Sequence, residues 1–145
     1  MGTESAAAVE VVRSVSVPLP QAQTFELFAE VVVEPRSGGR WFERGVDGSE
    51  CLWGRVAAWD PPRKVVLLWQ IGADWQFDPN FETEVEVTFT DDGAGRTRVD
   101  LRHRNLERYG DSAEQMRAIF DDPSGWAGTL ARFAGVAAET AHRKS

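Results

Sequence analysis

"FETEVEVTFTDDGAGRTRVDLRHR", residues 81–104, decides how the rest of the chain is read. Phe81, Thr83, Val85, Val87 and Phe89 alternate with Glu82, Glu84, Glu86, Thr88 and Thr90. A period of two marks a strand with one face buried and the other in water. "DDGAG" makes a turn, and the second half answers the first: Thr97, Val99, Leu101 and His103 share one face, Arg96, Arg98, Asp100, Arg102 and Arg104 the other. Antiparallel pairing sets carboxylates opposite guanidiniums on the outer face, which helps fix register. Each exposed pair is weak, so this face reads as a solvated ladder and not as a binding site.

The neighbours extend the sheet. "GRVAAWDPPRKVVLLWQI", residues 54–71, gives two apolar strands around an Asp-Pro-Pro turn, and "WFERGV" joins "CLWGRVAAW" through "DGSE". Val9–Val17 reads as the first strand, with Val11, Val15 and Val17 on one face. "PLPQ" starts a short helix carrying Phe25 and Phe28, and a strand is expected at Val31–Pro35. After residue 104, "GDSAEQMRAIF" gives a short helix capped by Asp111 or Ser112. "DDPSG" then opens the longest helix, running to about His142. On it Trp126, Leu130, Phe133, Ala137 and Ala141 recur at helical spacing. Its rod of roughly 28 Å crosses a small sheet. The order predicts an α+β architecture, a curved antiparallel sheet of about six to seven strands wrapped around the long C-terminal helix, plus two short helices. A sheet curled around a rod leaves a cavity between them.

The 145 residues suit one domain, expected over residues 9–142 behind a disordered lead of residues 1–8. Sixteen basic against 23 acidic residues give a net charge of −7, which excludes nucleic acid as a partner and disfavours anionic membranes. One cysteine, Cys51, precludes an internal disulfide. With no apolar run of membrane length and no basic signal start, the expected location is cytoplasmic.

Three stretches carry a resemblance: "GGRWFERGVDGSECLWGRV" with "WDPPRKVVLLW", then "VEVTFTDDGAGRTRVDLRHRNLE", and last "GWAGTLARFAGVA". Gly38-Gly39, Gly54-Arg55-Val56, Asp60-Pro61-Pro62, Trp69, Gly125-Trp126 and Leu130 stand where the activator of Hsp 90 ATPase homologue family places its motifs. The match runs from about Val9 to Ala138. The chain thus resembles bacterial members of that family, within the START / Bet v 1-like (SRPBCC) superfamily. The resemblance implies the helix-grip fold. For function it implies a cavity binding lipids, hormones or polyketides, a cyclase-type enzyme, or a co-chaperone acting on an Hsp 90-type ATPase.

The primary expectation is therefore a small hydrophobic or aromatic ligand held between sheet and C-terminal helix. The candidate cavity residues are Trp69, Val85, Val99, Leu101, His103, Trp126, Leu130 and Phe133. Trp69 and Trp126 read equally as core filler. His103 reads as a rim histidine satisfied by a hydrogen bond, or as a proton donor to a ligand carbonyl. A cavity enzyme would draw on His103, Tyr109 or Arg13, while an interaction module would use Trp53, Trp59 and Trp75 if they form an exposed patch. No catalytic set, metal-ligand spacing or cofactor motif is present, and Asp74 and Asp78 read as turn residues. Val66 and Leu68, on the outer face of "KVVLLWQI", point to a homodimer or a second covering layer.

One departure from the family pattern concerns "TFELFAEVVVEPR". Relatives place a longer segment here, yet nothing between Phe28 and Val33 turns a chain readily. A shorter helix, a deleted connection or an omitted gate loop would each account for it. The last is favoured, and it predicts a jump in Cα spacing between Phe28 and Val32.

Overall fold

The computed structural model describes residues 10–32, 36–44 and 47–144. Its elements are β1 (Val11–Val17), α1 (Gln21–Val32), β2 (Arg40–Arg44), β3 (Glu50–Asp60), β4 (Lys64–Trp69), β5 (Thr83–Asp91) and β6 (Thr97–Arg104). A 3-10 segment (Leu106–Ser112), α2 (Ala113–Asp121) and α3 (Trp126–Lys144) follow. The six strands form one antiparallel sheet ordered β1-β6-β5-β4-β3-β2. This is the helix-grip arrangement: α1 carries the chain from one sheet edge to the other, and a meander brings it back beside β1.

The alternating pair sits in the middle of the sheet. Glu84 lies opposite Arg104 and Glu86 opposite Arg102. The ladder forms with a shift: Arg104 takes both Glu84 (2.9 Å) and Glu86 (3.2 Å), while Arg102 reaches Glu10 instead (3.5 Å). The inner faces of β5 and β6 are buried throughout, Thr83, Val85, Val87 and Phe89 against Thr97, Val99, Leu101 and His103. On the outer face Val66 and Leu68 are half-buried, beside the ion pairs Arg55–Glu82 (3.2 Å) and Lys64–Glu86 (3.4 Å). No second layer covers that face among the described residues.

Gly54 has a steric reason to be glycine. A Cβ added there would lie 1.7 Å from the Leu68 carbonyl oxygen. The backbone of Leu68 and Gln70 fills the space a side chain would need, while Gly54 pairs with Trp41 on one side and Trp69 on the other. Their rings meet edge to face at 5.6 Å. The family's Gly-Trp at the start of α3 is explained the same way, because a Cβ on Gly125 would come within 2.5 Å of the Phe120 carbonyl oxygen.

The departure at "TFELFAEVVVEPR" resolves as a longer helix. α1 runs unbroken through Val32, so Val31 and Val32 are helical where a strand was expected, and no jump in Cα spacing interrupts Phe28 to Val32. Val33–Pro35, the rest of that expected strand, lie outside the described residues, as does the expected disordered lead of residues 1–8. The physical reason is that β-branched residues lower helix propensity by only a few tenths of a kcal/mol each. Packing outweighs that: Phe25 meets Trp59 (4.9 Å) and Phe89 (5.1 Å), and Phe28 meets Phe89 (5.4 Å) and Phe133 (5.8 Å).

The caps differ from expectation as well. Ser112 precedes α2 but makes no side-chain cap, since the 3-10 segment already delivers the chain into the helix. Before α3, Asp122 Oδ1 accepts from the amide (2.9 Å) and hydroxyl (2.7 Å) of Ser124, forming the turn that aims the helix. Leu130, Phe133 and Ala137 face the core from α3.

Candidate functional site

α3 lies closest to β1, and between it and β4–β6 remains a cavity of about 200 Å³. Leu67, Val85, Val87 and Leu101 form its floor on the sheet, and Leu130 and Phe133 its roof on α3. Phe28 of α1, Trp41 of β2 and Trp126 close the sides. Trp41 and Trp126 are roughly parallel, 6.2 Å between ring centroids and 21° between planes. Thr129, Arg132 and Val136 line the remaining side and are exposed, so they mark the mouth. The volume is below the ~300 Å³ at which pockets for drug-sized ligands begin.

Of the eight expected cavity residues, Val85, Leu101, Trp126, Leu130 and Phe133 line the void. Trp69, Val99 and His103 do not, although all three are buried and packed into the same core. Trp69 is withdrawn because it is surrounded: its ring meets Trp41, Trp53, Trp75, His103, Phe120 and Trp126 within 6.4 Å. Its Nε1–H donates to the Tyr109 hydroxyl (2.9 Å) and the Ile71 carbonyl (3.1 Å). Tyr109 in turn donates to Ile71 (2.6 Å), and burial pushes its pKa up to about 12. That hydroxyl is a structural tie, not a free acid.

His103 is not at a rim. It is 0 % exposed, and both ring nitrogens are occupied. Trp126 Nε1–H donates to Nδ1 at 3.0 Å, and Nε2 lies 2.7 Å from Thr83 Oγ1. An indole N–H can only donate, so Nδ1 must be unprotonated. The ring is then the neutral Nε2–H tautomer, donating to Thr83. Burial depresses its pKa to about 3, in agreement with that assignment. His103 thus positions Trp126, the cavity's side wall, and has no proton to offer a ligand.

Arg13 does not enter the cavity either. It lies on the inner face of the edge strand β1 and is bound to the carboxylate and the carbonyl oxygen of Asp121, which ties β1 to the end of α2. Asp74 and Asp78 accept from the amides of Gln76 (3.0 Å) and Asn80 (2.9 Å), as turn residues do. Trp53 and Trp59 are packed against the core, whereas Trp75 is 48 % exposed, so the three do not make one open patch. Cys51 is exposed. No cluster of three or more His, Cys, Asp or Glu fit for a metal occurs among the described residues, nor any helix long and apolar enough to cross a membrane.

The missed wall residues had partial signals. Leu67 and Val87 are in phase with Trp69 and Val85, and Phe28 lies on the helical stripe with Phe25. Trp41 and Arg132 had none, since only the three-dimensional packing brings them to the cavity.

The void predicts a specific cost for removing its roof. Phe133→Ala in a close-packed site would lose about 3–5 kcal/mol. Because one side of Phe133 already faces empty space, the expected loss is about 2–3 kcal/mol, read as a shift in urea midpoint at constant m-value.

Comparison with known proteins follows the same lines. The family model described as Activator of Hsp90 ATPase homolog 1-like protein matches residues 21–138. No curated protein sequence matches the chain significantly. Among solved structures, the anthrahydroquino-gamma-pyrone synthase Txn09, determined as a complex, is 38% identical over 88% of this chain and 96% of its own, with a TM-score of 0.63. CalC from Micromonospora echinospora, a self-sacrificing resistance protein, is 28% identical over 87% and 92%, TM-score 0.62. An AHSA1-like protein from Rhizobium etli is 26% identical over 90% and 82%, TM-score 0.57. With the strand order, the long helix and the Gly54 and Gly125 contacts in place, the conclusion is direct: the chain belongs to the Activator of Hsp90 ATPase homolog 1-like family.

Proposed function

We propose that the protein binds a small hydrophobic or aromatic molecule in the cavity between the sheet and α3, acting in the cytosol as one unit over residues 9–142. The observation that carries this reading is the void itself: about 200 Å³ held open between aliphatic and aromatic walls against the core. Interiors normally exclude such spaces, because lining atoms lose their contacts. The size suits a body of one or two rings. A larger skeleton would extend through the mouth past Val136.

Native mass spectrometry of freshly purified protein should show a co-purified small molecule. Calorimetry with 2-naphthylmethanol should show binding, weakened about tenfold in Val136→Trp, a substitution at an exposed mouth position equivalent to ~1.4 kcal/mol. Absence of any adduct together with no naphthylmethanol binding would reject the reading.

A second reading, a cavity enzyme of the cyclase or hydrolase type, draws support from the 38% identity to a synthase. Against it stands the commitment of His103 and Tyr109 to internal hydrogen bonds. The co-chaperone reading rests on the family's name, and a homodimer on Val66 and Leu68, which long charged neighbours already half cover. Both have less support than ligand binding.

A further inference from the structure

Apart from the indole N–H of Trp41, the lining side chains inside the cavity offer a ligand no hydrogen bond. Its walls are hydrocarbon and aromatic, and the nearest buried polar groups, His103 and Tyr109, are fully engaged elsewhere. A polar substituent pushed inside would lose its water and gain at most that one partner, a substantial penalty. One indole N–H does not solvate a charge, so a charged end of a ligand belongs at the mouth.

Two polar side chains line that mouth, Thr129 and Arg132, one turn apart on α3. Arg132 Nη2 lies 3.3 Å from Thr129 Oγ1, so the guanidinium folds back along the helix toward the opening. No carboxylate pairs with it among the described residues. Elsewhere Arg13, Arg55, Arg63, Arg104 and Arg117 each hold an acidic side chain. Arg96 and Arg108 likewise bond no carboxylate, only Ser16 Oγ (3.1 Å) and the Glu82 carbonyl (3.0 Å); what sets Arg132 apart is its place at the rim of an apolar cavity.

Resting on the ligand-binding reading, we infer that the cavity takes an aromatic monoacid: its ring body inside, its carboxylate at the mouth against Arg132. A guanidinium presents a planar fork that matches a carboxylate, while the Thr129 hydroxyl donates to the Gly125 carbonyl (3.3 Å) and serves to hold the guanidinium in place. The net negative charge opposes an anion at long range. At physiological salt that field is screened beyond about 8 Å, so the contact at the mouth dominates.

The test compares 2-naphthoate with 2-naphthylmethanol, which share a ring system and differ in charge, by calorimetry on the full chain. Naphthoate should bind about 5-fold more tightly, the scale of an exposed ion pair, and the preference should shrink as salt is raised. In Arg132→Gln the ratio of the two affinities should fall to about one, and Arg132→Lys should restore part of it. Position 132 is exposed, so these variants keep the fold. Equal binding of the two probes by the wild type, or a preference that survives Arg132→Gln, overturns the inference while leaving the cavity reading standing. If neither probe binds, the inference falls, and with no co-purified adduct the cavity reading falls with it.

Discussion

Trp69→Ala is expected to destabilise the protein by about 3–5 kcal/mol, the range for removing a buried Trp or Phe from a packed core. Trp69 is 6 % exposed and stands at the centre of the aromatic cluster, stacked on Trp53 (5.3 Å, 18°) and edge-on to Phe120 (5.3 Å, 86°). Its loss also leaves Tyr109 with one fewer partner, although the bond to Ile71 remains. Since small domains have only ~5–15 kcal/mol in hand, the variant should be close to unfolding at 37 °C. Trp69→Phe separates the contributions: it keeps most of the ring packing, loses the Nε1–H bonds, and should cost about 1–2 kcal/mol. Urea melts of the three proteins decide. A loss below about 2 kcal/mol in the alanine variant would mean that Trp69 borders a space and not a packed core.

Acid should weaken the fold through His103. The folded-state pKa is depressed to about 3 from an unfolded value of 6.5, so the unfolded chain binds the proton more readily. The stability tied to this group is therefore fully present above pH 6.5 and is lost as the pH falls toward 3. The slope is at most about 1.4 kcal/mol per pH unit. The ring is enclosed by Trp69, Phe120 and Trp126, all uncharged, with Thr83 on Nε2. Protonation would also turn Nδ1 into a donor facing the Trp126 N–H. His103→Gln can accept from Trp126 and donate to Thr83 but does not titrate. Between pH 7 and pH 4.5 the wild type should lose about 2–3 kcal/mol more than His103→Gln. Carboxylates common to both proteins cancel in that difference. Parallel acid curves for the two would show that His103 is not held neutral.

The wall residue Trp126 links these two results to the cavity. It is held by His103 on one side and lies against Trp41 on the other. Acidification that breaks the His103 bond therefore loosens the same side chain that shapes the binding space.

What the sequence determined by itself follows from local periods. The alternation in residues 81–104 assigned the side chains of β5 as far as Thr90, and those of β6, to a face, because a strand's faces change with each residue and need no distant partner. The helical stripe of α3 identified Leu130 and Phe133 for the same reason, and the family motifs placed both elements in a helix-grip fold. Tertiary structure decided the rest. β-branched Val31 and Val32 join α1 because Phe25 and Phe28 pack on Phe89 and Phe133, an energy larger than the local preference. Trp41 reaches the cavity because the pairing of β2 with β3 sets it beside Trp69 and Trp126, residues far from it in sequence, and that juxtaposition exists only once sheet and α3 are assembled. His103 was legible as inward-facing, but its tautomer was not, since that depends on an indole N–H from a helix 23 positions further along the chain. Arg132 carries no signal of a role in the sequence. Only its place at the mouth, with no acid beside it among the described residues, gives it a candidate role, because charge pairing and enclosure are properties of neighbours in space and not of neighbours in sequence.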